Sequence, residues 1–394
     1  MNTTNEMRKV AMLHDLLNKI IRHLIWLFQS FRDFIKYLFV IDSNTLLFVS
    51  HNGDSAGGAP VVLVELLKSI TKDNKVVLLC IKPGDISKIC EQNNIRCFNC
   101  YIIGKLFIRY AIYKKVRLIF ANTVATVGII NYLIKINCKL PVFWWIHEEK
   151  LYMEKYKGVY PNELPNNYQI LSVSENVKND LIQINKSYTK NHRVFYYGCE
   201  DLYECNEYIY HDKYLISVIG RICKRKNQLQ IKRAYDLLSN TIKQKITVQF
   251  IYASYDENYM KELQKQCKNN TNFLFRGKVY RKDMKNVYRE SGIIICCSVD
   301  DPLPVVVTEA MMMKCPYITS SRTGQYSLVK NGVNGYSYDV TSDKDLVVYF
   351  VLMLADILLN KVWKSRICDH RGAQTVRPVK GTSSGRWKSC QISC

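Results

Sequence analysis

The sequence contains no run of about twenty residues free of charge, so no segment reads as a transmembrane helix. Its N-terminus lacks an uninterrupted apolar core followed by small residues, so no secretory signal is expected. No GxGxxG follows Ser50 or Gly220, which argues against a dinucleotide cofactor. His147-Glu148-Glu149 lacks the second histidine of a HExxH pair, and no metal is expected. Among 15 cysteines, Cys97 and Cys100 form one CxxC without a second pair, so they read as strand-edge thiols, not as zinc or redox ligands. Cys80, Cys296 and Cys297 lie in or beside apolar runs and read as small buried hydrophobes of a reducing cytosol. Acids are scarce: 34 Asp and Glu face 56 Lys and Arg, a net charge of +22. Such a field attracts nucleic acid, anionic membrane or phosphorylated ligands. Lysine is spread along the whole chain and no nucleic-acid motif accompanies it, so a general affinity for anions is expected and nucleic acid is not.

What is present is a repeating strand–helix rhythm. With 394 residues and 48% hydrophobic content the chain suits two domains. Strands are expected at 45–50, 75–81, 117–123, 141–148 and 169–174 in the first half, and 193–198 closes it. A second series is expected at 214–222, 247–253, 272–277, 293–298 and 317–320, with a last helix over 343–359. Alternation of this kind predicts two doubly wound parallel sheets. The expected divisions are a helical extension at 1–44, a first domain at 45–198, a linker at 199–213, a second domain at 214–361 and a basic tail at 362–394. Over 10–41 the apolar residues form a wide helical stripe opposite a basic face, which suits a membrane interface or a packed partner. The tail is basic and aperiodic and is expected to be disordered or loosely attached.

The chemistry gathers around 299–339. The apolar run Gly292-Ile-Ile-Ile-Cys-Cys-Ser298 reads as a buried parallel strand. Asp300 and Asp301 follow it, and then a helix opens behind Pro304, whose missing N–H costs nothing in a first turn. The free N–H groups of such a helix, around Leu303, Pro304 and Val305, can hold a phosphate. Glu309, inside the helix, can accept hydrogen bonds from a sugar diol, and Asp301 from a second hydroxylated group. Arg221 and Lys226 follow the first strand of the second series, spaced to clamp a diphosphate and neutralise it as it leaves. Gly57 and Gly58 permit close backbone approach at a helix N-terminus after the 45–50 strand. His147 ends a parallel strand, where side chains point into a ligand crevice.

Asp301, seven residues, Glu309, then Thr323-Gly324 and Asn334-Gly335 resemble the C-terminal signature of GT-B retaining glycosyltransferases of family 4, the glycosyl transferases group 1. That family usually has Glu where this chain has Asp301. The Gly220-Arg221 and Lys226 pattern matches it as well, and the resemblance covers 45–359. It implies a GT-B fold: two Rossmann-like doubly wound domains facing a cleft, here with an N-terminal amphipathic helix. It implies transfer of a sugar from a nucleoside-diphosphate sugar to a hydroxyl acceptor with retention, without a metal or other cofactor. In that scheme His147, Asp301, Arg221 and Lys226 act in catalysis. Gly57, Gly58, Leu303, Pro304, Val305 and Glu309 bind the donor together with Arg221 and Lys226. Family members close with helices that cross back onto the first domain, and no such helix is expected after Leu359. The basic helix and the thiols point to a polysaccharide or lipid-linked acceptor, and to a cytoplasmic protein peripheral to the inner face of the plasma membrane. Rival readings are a catalytically impaired membrane-associated scaffold and a GT-B sugar-nucleotide epimerase or inverting transferase.

Overall fold

A computed structural model describes residues 2–54, 58–198 and 214–359, with side chains from residue 12 onward. The expected linker and basic tail, like Gly57, lie outside the described residues.

Two parallel sheets organise the chain. The first contains β1 (Thr45–Ser50), β2 (Lys75–Cys80), β3 (Arg96–Asn99), β4 (Leu118–Asn122), β5 (Val142–Ile146), β6 (Tyr168–Ser172) and β7 (His192–Val194) in the order β3-β2-β1-β4-β5-β6-β7. The second contains β8 (Leu215–Ile219), β9 (Thr247–Ile251), β10 (Phe273–Gly277), β11 (Ile293–Cys296), β12 (Tyr317–Ser320) and β13 (Tyr336–Tyr338) in the order β10-β9-β8-β11-β12-β13. Strands β1, β4, β11 and β12 are buried at every position, as the near-continuous apolar runs of a sheet covered on both faces require. Each order reverses once, between β1 and β4 and between β8 and β11. In register, Ser50 lies opposite Asn122, and Ile294 opposite Ser217.

The described chain divides into two compact units. The first takes residues up to Ile146 with Met153–Leu171 and Ile184–Arg193. The second takes His147–Tyr152, Ser172–Gln183 and the described residues from Val194 onward. Trp144 and Trp145, the largest fully buried side chains, lie on β5 in the core of the first unit. Tyr288 and Phe250 are fully buried in the second.

The long helix forms as its periodicity predicts, spanning Asn2–Val40. Its C-terminal half packs on β3 and on the Gly104–Tyr113 helix through Tyr37, which is fully buried and donates to the Phe107 carbonyl at 3.2 Å. Asp33 is buried there, and its carboxylate accepts the Asn99 backbone N–H at 2.9 Å. Cys97 and Cys100 lie on and just after β3, the edge strand. The Cys80 and Cys97 sulfurs are 3.8 Å apart. Burial pushes the Cys100 thiol up to about 12, which keeps it a neutral hydrophobe at neutral pH.

Candidate functional site

In open α/β sheets, ligands bind beyond the carboxyl ends of the strands where the strand order reverses. In the second unit that point lies past β8 and β11. Gly220-Arg221 follow β8, and a short turn over Lys224–Lys226 comes next. Lys226 Nζ is ion-paired with Asp301, which lies five residues beyond the end of β11. Both side chains are largely removed from water, with 16% and 10% of their surface exposed. Burial opposes the Lys226 charge, and the neighbouring Asp301 carboxylate outweighs it, so its pKa lies above the usual lysine value. Ser298 Oγ donates to the same Asp301 oxygen at 3.4 Å.

Arg225 joins this pair: its Nη1 donates to the Asp300 carbonyl at 2.9 Å and lies 3.8 Å from the Asp301 carboxylate. Arg225 is thus part of the site and not a bare surface charge. Only its strand-end position could have marked it, because its partners lie some 75 residues away. Arg221 is exposed, and its carbonyl accepts Gln228 Nε2 at 2.9 Å.

The Val305–Met312 helix opens behind Pro304, as its lack of a breaker predicts. Its first intrahelical bond runs from Val307 N–H to the Pro304 carbonyl at 3.1 Å, so the N–H groups of Val305 and Val306 precede the helical ladder. The Leu303 carbonyl accepts the Tyr197 hydroxyl, and the Pro304 carbonyl accepts Gln325 Nε2 at 2.8 Å. These bonds fix the loop. Close packing holds it too: a Cβ on Gly324 would sit 1.8 Å from the Pro302 carbonyl oxygen. The glycine in the Thr323-Gly324 pattern is therefore a steric requirement.

Glu309, one turn into the helix, is almost fully buried with its charge met from two sides. Arg281 pairs with Oε1, and the buried Tyr288 hydroxyl donates to Oε2. Neither partner was anticipated. Arg281 follows β10 and lies 28 residues before Glu309, a separation with no signature in sequence.

Asp300 belongs to a separate network. Burial raises its pKa, opposed by the Lys150 N–H, which donates to it at 3.0 Å, and by Arg322 at 3.8 Å. Arg322 Nη2 also reaches Asp180 at 3.0 Å. His147 directly follows β5 and groups with the second unit, where its ring stacks on Tyr197 at 6.0 Å between centroids.

In the first unit the strand order reverses at β1 and β4. His51 follows β1 and Thr123 follows β4, with His51 Nδ1 and Thr123 Oγ1 2.8 Å apart. Burial, aided by Lys82, lowers the His51 pKa, which favours the neutral ring. Thr123 holds φ +77° and ψ 157°, a region β-branched residues avoid. Its N–H donates to the Trp145 carbonyl at 2.7 Å, and its carbonyl accepts Trp144 Nε1 at 2.9 Å. Gly58 opens the Gly58–Ile70 helix, exposed, and an added Cβ would meet nothing within 4 Å. Packing alone does not require glycine at 58.

The fold matches solved structures over most of the chain. Anabaena HepE in complex with UDP-glucose aligns with a TM-score of 0.62 at 17% identity, covering 84% of this chain and 94% of that one. The sucrose-phosphate synthase of Thermosynechococcus elongatus aligns with a TM-score of 0.63 at 14% identity, covering 82% and 92%. The fold is GT-B. Residues 205–367 match the family model of glycosyl transferases group 1. An uncharacterised glycosyltransferase of Methanocaldococcus jannaschii is 24% identical over 221 residues, which are 50% of this chain and 56% of that protein. The chain thus spans little more than half the length of this curated relative. The ends of β8 and β11 lie within the region that the family model matches.

Proposed function

We propose that the chain transfers a glycosyl group from a nucleoside-diphosphate sugar to a hydroxyl acceptor, with retention of anomeric configuration, as a family 4 enzyme. The observation that carries this reading is the pairing past β8 and β11: an enclosed Lys226–Asp301 pair beside a helix N-terminus, with the buried Glu309 carboxylate one turn further on.

Each part has a chemical use. The donor's diphosphate carries concentrated negative charge, which Arg221, Lys226 and the backbone over 303–305 can neutralise as it departs. The Asp301 carboxylate favours the charged form of Lys226. Glu309 accepts hydrogen bonds, and a ribose diol offers two donors; Arg281 and Tyr288 orient the carboxylate. Asp301 contacts sugar hydroxyls. His147, Gly57 and Gly58 serve the sugar and the acceptor. Relatives support a nucleotide-sugar donor, since the HepE structure holds UDP-glucose. The acceptor is proposed to be a polysaccharide or lipid-linked glycan of a bacterial cell surface, met at the inner face of the plasma membrane.

Incubation with UDP-, GDP- and dTDP-sugars tests the reaction, with the anomer of the released or transferred sugar read by proton NMR. A product retaining the donor's configuration, made by the wild type and not by Glu309→Ala, is the expected result. An inverted product overturns retention, and no turnover of any donor overturns transfer.

A further inference from the structure

The first helix has three faces with different duties. One face docks on the body of the first unit: Trp26 meets Tyr101 at 5.3 Å between ring centroids, Phe34 meets Phe107 at 5.0 Å, and Tyr110 donates to the Leu38 carbonyl at 2.8 Å. A second face carries Leu17, Ile20, Leu24, Phe28, Phe31 and Ile35, all exposed, with Phe28 at 74% and Leu24 at 61%. At 3.6 residues per turn this stripe lies roughly 130° round the helix from the docked face and runs about 27 Å along it. The docked contacts fix the rotation of the helix, so the stripe is held away from the unit's own core. An apolar surface of this length on one element marks a binding site.

The arc between these faces holds Arg22, Arg32 and Lys36. Two acids stand among the helix side chains described from residue 12 onward: Asp15 is paired with Lys19 at 2.7 Å, and Asp33, buried on the Asn99 amide, lies 3.5 Å from Arg32 and offsets part of its charge, while among the described residues Arg22 and Lys36 have no such acid at hand. The flank of the stripe is therefore cationic. A second copy laid along the stripe would bring like charges together, whereas a helix pair needs opposite charges at its flanks. An anionic bilayer supplies what the stripe and flank ask for together: acyl chains for Phe28 and Leu24, and headgroup charge for Arg22, Arg32 and Lys36.

We propose that this helix lies flat in the surface of an anionic membrane, stripe inward, and carries the first unit on its opposite face. The inference deepens the proposed work at a membrane face by naming the surface that makes the contact. It also explains why so much apolar area is kept out of the core.

The test is co-sedimentation of the full chain with vesicles, in the absence of any nucleotide. One set is phosphatidylcholine alone, and the other an equimolar mixture with phosphatidylglycerol. The wild type is expected to bind the mixed vesicles at least about tenfold more tightly than the neutral ones. The variant Ile20→Glu/Leu24→Glu/Phe28→Glu changes only exposed side chains. It should keep the wild-type melting temperature and stay in the supernatant. The variant Arg22→Gln/Arg32→Gln/Lys36→Gln should bind mixed vesicles about a hundredfold more weakly. Wild-type protein that ignores mixed vesicles, or a glutamate variant that binds as well as wild type, overturns the proposal. So does a wild-type dimer in sedimentation equilibrium that the glutamate variant converts to monomer, since the stripe would then belong to a second copy. No donor is present, so failure here leaves the transferase reading untouched.

Discussion

The two points where strand order reverses share a topology and differ in charge. Past β1 and β4 lie His51 and Thr123, a neutral-leaning imidazole and a hydroxyl joined at 2.8 Å. Past β8 and β11 lie Lys226, Asp301 and Arg225, with Glu309 one helical turn further on, met there by Arg281 and Tyr288. The same backbone solution thus presents hydrogen-bonding groups of low charge in one unit and a dense set of compensated ions in the other. A diphosphate suits the second kind of site and an uncharged hydroxyl the first, which is the division the proposed reaction needs. The doubly wound sheet supplies two crevices, and the few residues after each strand decide what each accepts.

The largest effect should come from unbalancing the charged point. Asp301→Ala leaves Lys226 enclosed without its partner, and removing one member of a buried pair costs about 3–5 kcal/mol. Urea denaturation checks this, and Asp301→Leu combined with Lys226→Met should recover most of the loss. Full stability in Asp301→Ala alone would mean that Lys226 swings freely into water. Next in size is the contrast between two glycines. Gly324→Ala forces a Cβ against the Pro302 carbonyl and should cost about 1–3 kcal/mol, while Gly58→Ala should change stability by less than about 0.5 kcal/mol. If Gly58→Ala nonetheless abolishes transfer, its glycine serves a ligand and not the fold.

The smallest effect belongs to the neutral point. The folded pKa of His51 lies below its ordinary value near 6.5. Below about pH 6.5 the unfolded chain therefore binds a proton that the folded chain refuses. The contribution of His51 is fully present above that pH and is lost as pH falls through the folded value. Thermal unfolding across this range should show a flatter acid limb in His51→Gln than in the wild type. An identical slope would remove the claim that burial keeps this ring neutral.

Sequence alone carried the two sheets because their strands are apolar runs bounded by polar turns, and the 45–50 and 317–320 strands fall where they were expected. It did not carry β3 and β13, which are short edge strands whose identity depends on the neighbours they pair with. Asp301, Glu309 and Lys226 were legible because a strand-end loop and a helix N-terminus mark their positions. Arg281, Tyr288 and Arg225 were not, because each matters through a partner far along the chain. The long helix was legible as amphipathic, but its pattern could not say which face the body takes. The docking of Tyr37 and Asp33 answers that.

The central claim is that the Glu309 region holds a nucleotide-sugar. Thermal unfolding of the wild type and of Glu309→Ala, each with saturating UDP-, GDP- or dTDP-sugar, tests it most directly. A ligand at a hundred times its Kd stabilises a fold by about 2.7 kcal/mol. The account predicts a rise of that order in the wild type with at least one donor and its loss in Glu309→Ala. No rise with any donor, or an equal rise in the variant, would contradict it.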